Sequence, residues 1–352
     1  MAFGLLALAM AAAVVVGMIV GGGATPTQLA DAGDIVRWGL PLAKGVTNLG
    51  TAIAIGSLAF AAYALSAKTP QLVGAMNLAA FGAGLWTIFG ALGFLFTYLS
   101  VTGSAFSTED VFGQGLWLFA TDIEYGRYLA LNVLAGAILT VLSLAFQSLT
   151  SALLLAALGL LGLVPIALTG HAAGVANHAL AVNSIGMHLV AVTIWVGGLA
   201  ALVAVRDADA ERQANLVKRY STLALIAFVI VAISGISVAL LGLGSIENIF
   251  TPYGLLVLMK SAALLLLGAI GGHYRFRLIN RMATVAAKAK EFWLIVLGEL
   301  LVMGAAVGLA RHIDALGTRH LDVQEYELRA VLRHPELDAA FKDLVLTLPA
   351  ET

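Results

Sequence analysis

The chain has 352 residues, 61% of them hydrophobic, with only 19 Lys and Arg and 20 Asp and Glu, or 11% charged. An ordinary soluble domain is about 25% charged, so this composition cannot clothe a water-facing surface and excludes a soluble globular protein. A net charge of −1 excludes nucleic-acid binding, which needs a cationic excess against the phosphate backbone. The lack of cysteine excludes disulfides, iron–sulfur clusters and thiolate chemistry, leaving His, Met, carboxylate and carbonyl oxygen as metal ligands.

Nine apolar runs come close to the ~20 residues that cross a bilayer as helix, approximately 3–20, 46–67, 72–99, 127–146, 149–169, 180–205, 219–243, 253–274 and 292–311. They are too long for barrel strands and lack strand alternation. The predicted fold is all-α, a polytopic transmembrane helical bundle of about nine spans. The first run has no Lys or Arg before its apolar stretch, where a secretory signal carries a basic segment. It is expected to remain as a span, and its cleavage would leave the topology of the others unchanged. A loop at 21–45, with Arg37 and Lys44, separates it from the second run.

Segment 100–126 is acidic and aromatic, with Glu109, Asp110, Phe112, Trp117, Asp122, Glu124 and Tyr125. It is expected to lie along the outer interface, where Trp and Tyr favour the headgroup level. Four parts follow: an amino-terminal three-helix membrane part (1–100), an interfacial segment (101–126), a six-helix membrane core (127–311) and a soluble amphipathic tail (312–352). Orientation follows from basic residues in short loops. Loop 206–219 holds Arg206, Arg212, Lys218 and Arg219, and loop 275–291 holds Arg275, Arg277, Arg281, Lys288 and Lys290. Loops 170–179 and 244–252 hold no Lys or Arg. The basic loops are therefore assigned to the cytoplasm, which puts the amino terminus in and the carboxyl terminus out.

The densest chemistry is Gly170-His171-Ala172-Ala173-Gly174-Val175-Ala176-Asn177-His178, followed by Met187-His188, at or just below the outer face. On a helix His171 and His178 share a face about 10.5 Å apart, too far to hold one ion without a bend, and Gly170 and Gly174 allow one. His188 lies inside its span, where a histidine calls for a partner, a cavity or a cofactor. Imidazole with thioether suits copper, and imidazole alone also suits zinc or haem iron. The plainer alternative has His171 and His178 as interfacial loop residues and His188 as a hydrogen bonder within the bundle. Lys260 in the eighth span and Glu299 in the ninth are intramembrane charges, readable as an ion path or as a structural ion pair. Arg127 and Asn132 open the fourth span, and Trp195-Val196-Gly197-Gly198 and Gly268, Gly271 and Gly272 are small-residue packing surfaces. No phosphate loop, paired zincin histidines or hydrolytic constellation is present, and no enzymatic activity is expected.

Several stretches resemble the copper-resistance CopD family of bacterial inner-membrane proteins. They are GHAAGVANHALAVNSIGMHLVAVTIWVGGL (170–199), RYSTLALIAFVIVAISGISVAL (219–240) and YGLLVLMKSAALLLLGAIGG (253–272). YGRYLALN (125–132) and RWGLPLA (37–43) are similar to its actinobacterial version, often fused to a CtaG-type cytochrome c oxidase assembly domain. The tail 312–352 is not expected to be that domain. The resemblance implies movement of copper across the cytoplasmic membrane, commonly with a CopC-like extracytoplasmic copper carrier. It matches the family's outer histidines to His171, His178 and His188, and its penultimate-span lysine to Lys260. The contrasting class is a haem b-binding redox or cytochrome oxidase assembly membrane protein, and a cytochrome oxidase assembly factor is a candidate partner. Haem needs two imidazoles on facing helices, whereas His171 and His178 share one connecting segment, which favours a metal ion.

The topology has a direct test, since the chain has no cysteine of its own. A cysteine placed at Ala176 should react with an impermeant maleimide added outside, and one at Ala210 should not. The reverse pattern would invert the assignment.

Overall fold

A computed structural model describes residues 2–20, 23–26, 31–168, 178–205, 209–243, 245–277, 298 and 301–305. Among them all regular structure is helical: α1 (Ala2–Val20), α2 (Asp34–Ala64), α3 (Pro70–Thr102), α4 (Asp110–Thr121), α5 (Glu124–Ala145), α6 (Leu149–Leu161), α7 (Val164–Leu168), α8 (His178–Ala204), α9 (Ala210–Leu243) and α10 (Pro252–Arg277), with a 3₁₀ turn over Ile246–Phe250 before α10. Six segments are long and apolar enough to cross a membrane: α2, α3, α5, the stretch Leu149–Leu168, and the greater part of α8 and of α9. Shorter apolar stretches lie at Gly4–Ile19 in α1 and Val257–Gly272 in α10. The protein is an all-α, polytopic helical bundle. Most of the ninth predicted span, at 292–311, lies outside the described residues.

Two predicted loops are largely helix. Residues 34–45, assigned to the loop at 21–45, form the first turns of α2, and residues 210–219, assigned to the basic loop at 206–219, form those of α9. Hydropathy stops at the first charges, but a helix does not have to. At 1.5 Å per residue the 31 residues of α2 run about 46 Å, well beyond a ~30 Å hydrocarbon core. Arg37, in the first turn, pairs with Asp31 and, at 2.5 Å, with Asp34. Asp209 caps α9, its carboxylate accepting from the backbone N–H groups of Glu211 (2.9 Å) and Arg212 (3.0 Å). The Arg212 N–H holds the Asp209 carboxyl below its usual range. The charged cap thus persists at neutral pH and is lost only as acid carries the medium down through that lowered value. Arg219, two turns further on, donates to the Tyr63 carbonyl at the end of α2 (3.0 Å), which puts the start of α9 and the end of α2 on one face.

α2 is the central helix. Leu49 through Leu58 are all buried, as expected of a run that is apolar or small on every side. Its neighbours come close through glycine. A Cβ on Gly50 would stand 2.7 Å from the Gly82 carbonyl oxygen of α3, and a Cβ on Gly197 of α8 would collide with the Ala52 carbonyl. One hydrophobic core joins residues of α2 and α3 to α5, α6, α8, α9 and α10, while residues of the segment at 100–126 pack in a separate cluster with the end of α3. Within that segment α4 packs Phe119 and Phe112 against Tyr98, with ring centroids 5.7 and 5.4 Å apart. Its other face leaves Val111 (74%) and Trp117 (72%) exposed, the amphipathic pattern of an interfacial helix.

A buried polar link ties α3, α5 and the α6–α7 break. The Trp86 indole N–H donates to Asn132 Oδ1 (2.9 Å), and Asn132 Nδ2 donates to the Gly162 carbonyl (2.9 Å). The break follows from Pro165, which has no N–H to give to the Leu161 carbonyl. Replacing Asn132 with Leu should therefore strand the indole N–H and lower stability by about 1–2 kcal/mol in a thermal or denaturant melt. Adding Trp86→Phe should then cost less than it does alone, and strict additivity would deny the link.

Candidate functional site

The site is built on three helices that bring polar groups to one depth. α8 runs without interruption from His178 to Ala204 and α9 returns antiparallel to it, so α8 and α10 start from the same face. His188 lies ten residues into α8, Ser234 nine residues before the end of α9, and Lys260 eight residues into α10. At 1.5 Å per residue these positions lie about 15, 13.5 and 12 Å from those helix ends, so the three fall at nearly one level.

The contacts bear out this level. His188 Nδ1 is 3.1 Å from Ser234 Oγ, and that hydroxyl lies 2.6 Å from the Ile230 carbonyl and 3.3 Å from that of Val231. Ser234 is buried and His188 half-buried, its ring resting against α9 beside Gly235, where a Cβ would stand 3.6 Å from Cε1. The Lys260 ammonium, half-buried on α10, is near enough for its charge to act on the imidazole. An apolar bundle thus holds one imidazole, one hydroxyl and one ammonium at one level.

Met187 faces another way, as its position about 100° around the helix requires. It is 54% exposed and, with Asn183 and Gly186, lines a cavity of about 640 Å³ between α6–α7, α8 and α9, otherwise walled mostly by Leu, Val, Ile and Ala. His178 begins α8, and His171 and Glu299 lie outside the described residues. Ten residues of continuous helix separate His178 from His188 by about 15 Å along the axis. Among the described residues no three His, Asp or Glu side chains converge on a point.

Packing holds α8 at its height. Gly197 lies against Ala52 and Gly56 of α2, Tyr220 donates to the Trp195 carbonyl (3.2 Å), and the Trp195 ring meets Phe228 edge-on at 5.7 Å. The Trp-Val-Gly-Gly surface is thus a helix contact. Gly268 also serves packing, lying beneath the Phe228 ring, whereas Gly272 faces open space.

Residues 31–181 match the family described as copper resistance protein D-like, N-terminal domain, and residues 214–312 match copper resistance protein D. The chain belongs to the copper resistance protein D family. The copper transport protein CutJ of Bacillus subtilis (strain 168) is 33% identical over 150 residues, covering 40% of this chain and 27% of that protein. The similarity thus spans about a quarter of the relative's length. No solved structure matches the chain.

Ser234 is the neighbour of His188 that the sequence did not single out. Its one signal is a polar residue in the apolar run VAISGIS, at a depth that can be compared with His188 only when the directions of α8 and α9 are known.

Proposed function

We propose that this CopD-family protein moves copper across the bacterial cytoplasmic membrane, with the amino terminus inside and the carboxyl terminus outside. His171 and His178 receive the ion at the outer face, from a CopC-like extracytoplasmic carrier. His188 is a second station deeper in the bundle, with the Met187 thioether one residue away as a softer accessory ligand. A link to cytochrome oxidase assembly would then be one of copper supply. The observation that carries the proposal is the His188 imidazole held between apolar helices, where a polar ring needs a purpose or a partner. The family match and the similarity to a protein named for copper transport support the choice of cargo.

In this proposal the charges regulate passage. A cation reaching His188 meets the field of the Lys260 ammonium, so transit requires that field to be offset. Glu299, in the neighbouring predicted span, supplies the opposite sign. Copper is cargo here, and the chain supplies neutral imidazoles, a soft sulfur and a gate of charge.

Copper accumulation in proteoliposomes tests the stations separately. Since His178 and His188 lie on different levels, His188→Ala should keep copper bound at the outer face but reduce flux to that of empty vesicles. The triple His→Ala variant of His171, His178 and His188 should lose binding as well, and binding should weaken in mildly acid solution as imidazoles protonate. Unchanged stoichiometry and affinity in the triple variant would refute the site.

The charges are tested by Lys260→Met, Glu299→Leu and the double variant. A purely structural pair should tolerate the double replacement better than either single one, which strands a charge. On the proposed path the double variant should insert normally yet carry no copper, and normal flux through it would remove both residues from the mechanism.

A further inference from the structure

We infer that Ser234 is a positioning residue that fixes His188 in its Nδ1–H tautomer and so presents Nε2 as the lone-pair nitrogen toward the cargo. The inference deepens the copper-transfer proposal and rests on it for the identity of the ion, though not for the tautomer.

The geometry carries it through the proton inventory. A serine hydroxyl has one proton to give and two lone pairs with which to accept. On α9 that proton is committed to the backbone, since Ser234 Oγ lies 2.6 Å from the Ile230 carbonyl and 3.3 Å from the Val231 carbonyl, and either can only accept. Toward His188 Nδ1, 3.1 Å away, the hydroxyl is therefore left with a lone pair, and the Val231 carbonyl beside it is a second acceptor for the ring. Nδ1 must carry the hydrogen, and in a neutral ring Nε2 then has none. In water the Nε2–H form predominates, so the tautomer required here is the one the protein has to impose. Ser234 is well placed to impose it, because it is buried and no solvent competes for its lone pair. A ligating histidine whose other ring nitrogen donates to a fixed acceptor is held in both tautomer and orientation.

The test uses the full chain in lipid nanodiscs, labelled with ring-¹⁵N histidine, free of metal and mildly alkaline so that imidazoles are neutral. His188, one of seven histidines, is assigned by the signal lost in His188→Gln. The ¹⁵N shifts should report Nδ1–H in the parent protein, a mixture shifted toward Nε2–H in Ser234→Ala, and recovery of Nδ1–H in Ser234→Thr, which restores a hydroxyl. Competition with a chelator for Cu(I) should show affinity at His188 about tenfold weaker in Ser234→Ala and restored in Ser234→Thr. A parent protein in the Nε2–H form, or a Ser234→Ala variant with an unchanged tautomer, would overturn the assignment of Ser234 even if Cu(I) binds. An Nδ1–H ring whose Nε2 signal is unmoved by Cu(I) would instead overturn the ligand role of His188, and the positioning role with it, while leaving the tautomer intact. A merely structural hydroxyl would alter the melting temperature without moving the tautomer ratio, which also overturns the proposal.

Discussion

The height of α8 against α2 governs everything the site can do. At their crossing Gly197 lies against Ala52 and Gly56, a separation that no side chain larger than hydrogen permits. Helices of one membrane protein gain little from hydrophobic attraction, because lipid tails are as apolar as their own surfaces, so close backbone contact has to supply the specificity. The crossing fixes α8 against the buried middle of α2, and His188, nine residues before Gly197, takes its depth from it. Tyr220 bonding to the Trp195 carbonyl then sets α9 against α8, and with it the height of Ser234.

Within that frame the same rule produces two outcomes. A polar side chain in hydrocarbon must find partners, and Asn132 finds them on both sides, accepting from Trp86 and donating to Gly162. Its amide is occupied by architecture: it joins three helical segments. His188 meets Ser234 through Nδ1, one of its two ring nitrogens, and stands within the field of a lysine. An imidazole anchored at one nitrogen is oriented by its anchor and keeps a second nitrogen for chemistry. The difference is one of inventory, and it separates a structural polar residue from a candidate functional one.

The sequence made the helical class and the approximate spans legible, because a 20-residue apolar run has few other fates. It misplaced the helix ends for a physical reason: α2 and α9 continue past the hydrocarbon on Arg37's pairing with Asp31 and Asp34 and on the Asp209 cap, which a hydropathy window reads as loop. His188 stood out as a costly residue, but its partner did not, since a serine in a helix can satisfy itself on a preceding carbonyl and so attracts no notice. It is the parallel pair α8 and α10 that brings equal distances from their starts to equal depth. The level shared by 188, 234 and 260 is a property of direction as much as of spacing.

An imidazole beside an ammonium within an apolar bundle is a poor place to keep a cation and a suitable one to pass it. Storage sites gather carboxylates, whose charge lengthens residence, whereas conduction needs binding strong enough for entry and weak enough for release. In a medium of low effective dielectric the Lys260 charge opposes any cation bound at His188 far more than it would in water. The occupied state is thereby kept shallow unless that charge is offset. On the proposed reading, that makes the residence time of copper at His188 depend on a charge brought by a neighbouring helix, so that a movement between helices, with no change in the ligand itself, is enough to release the ion.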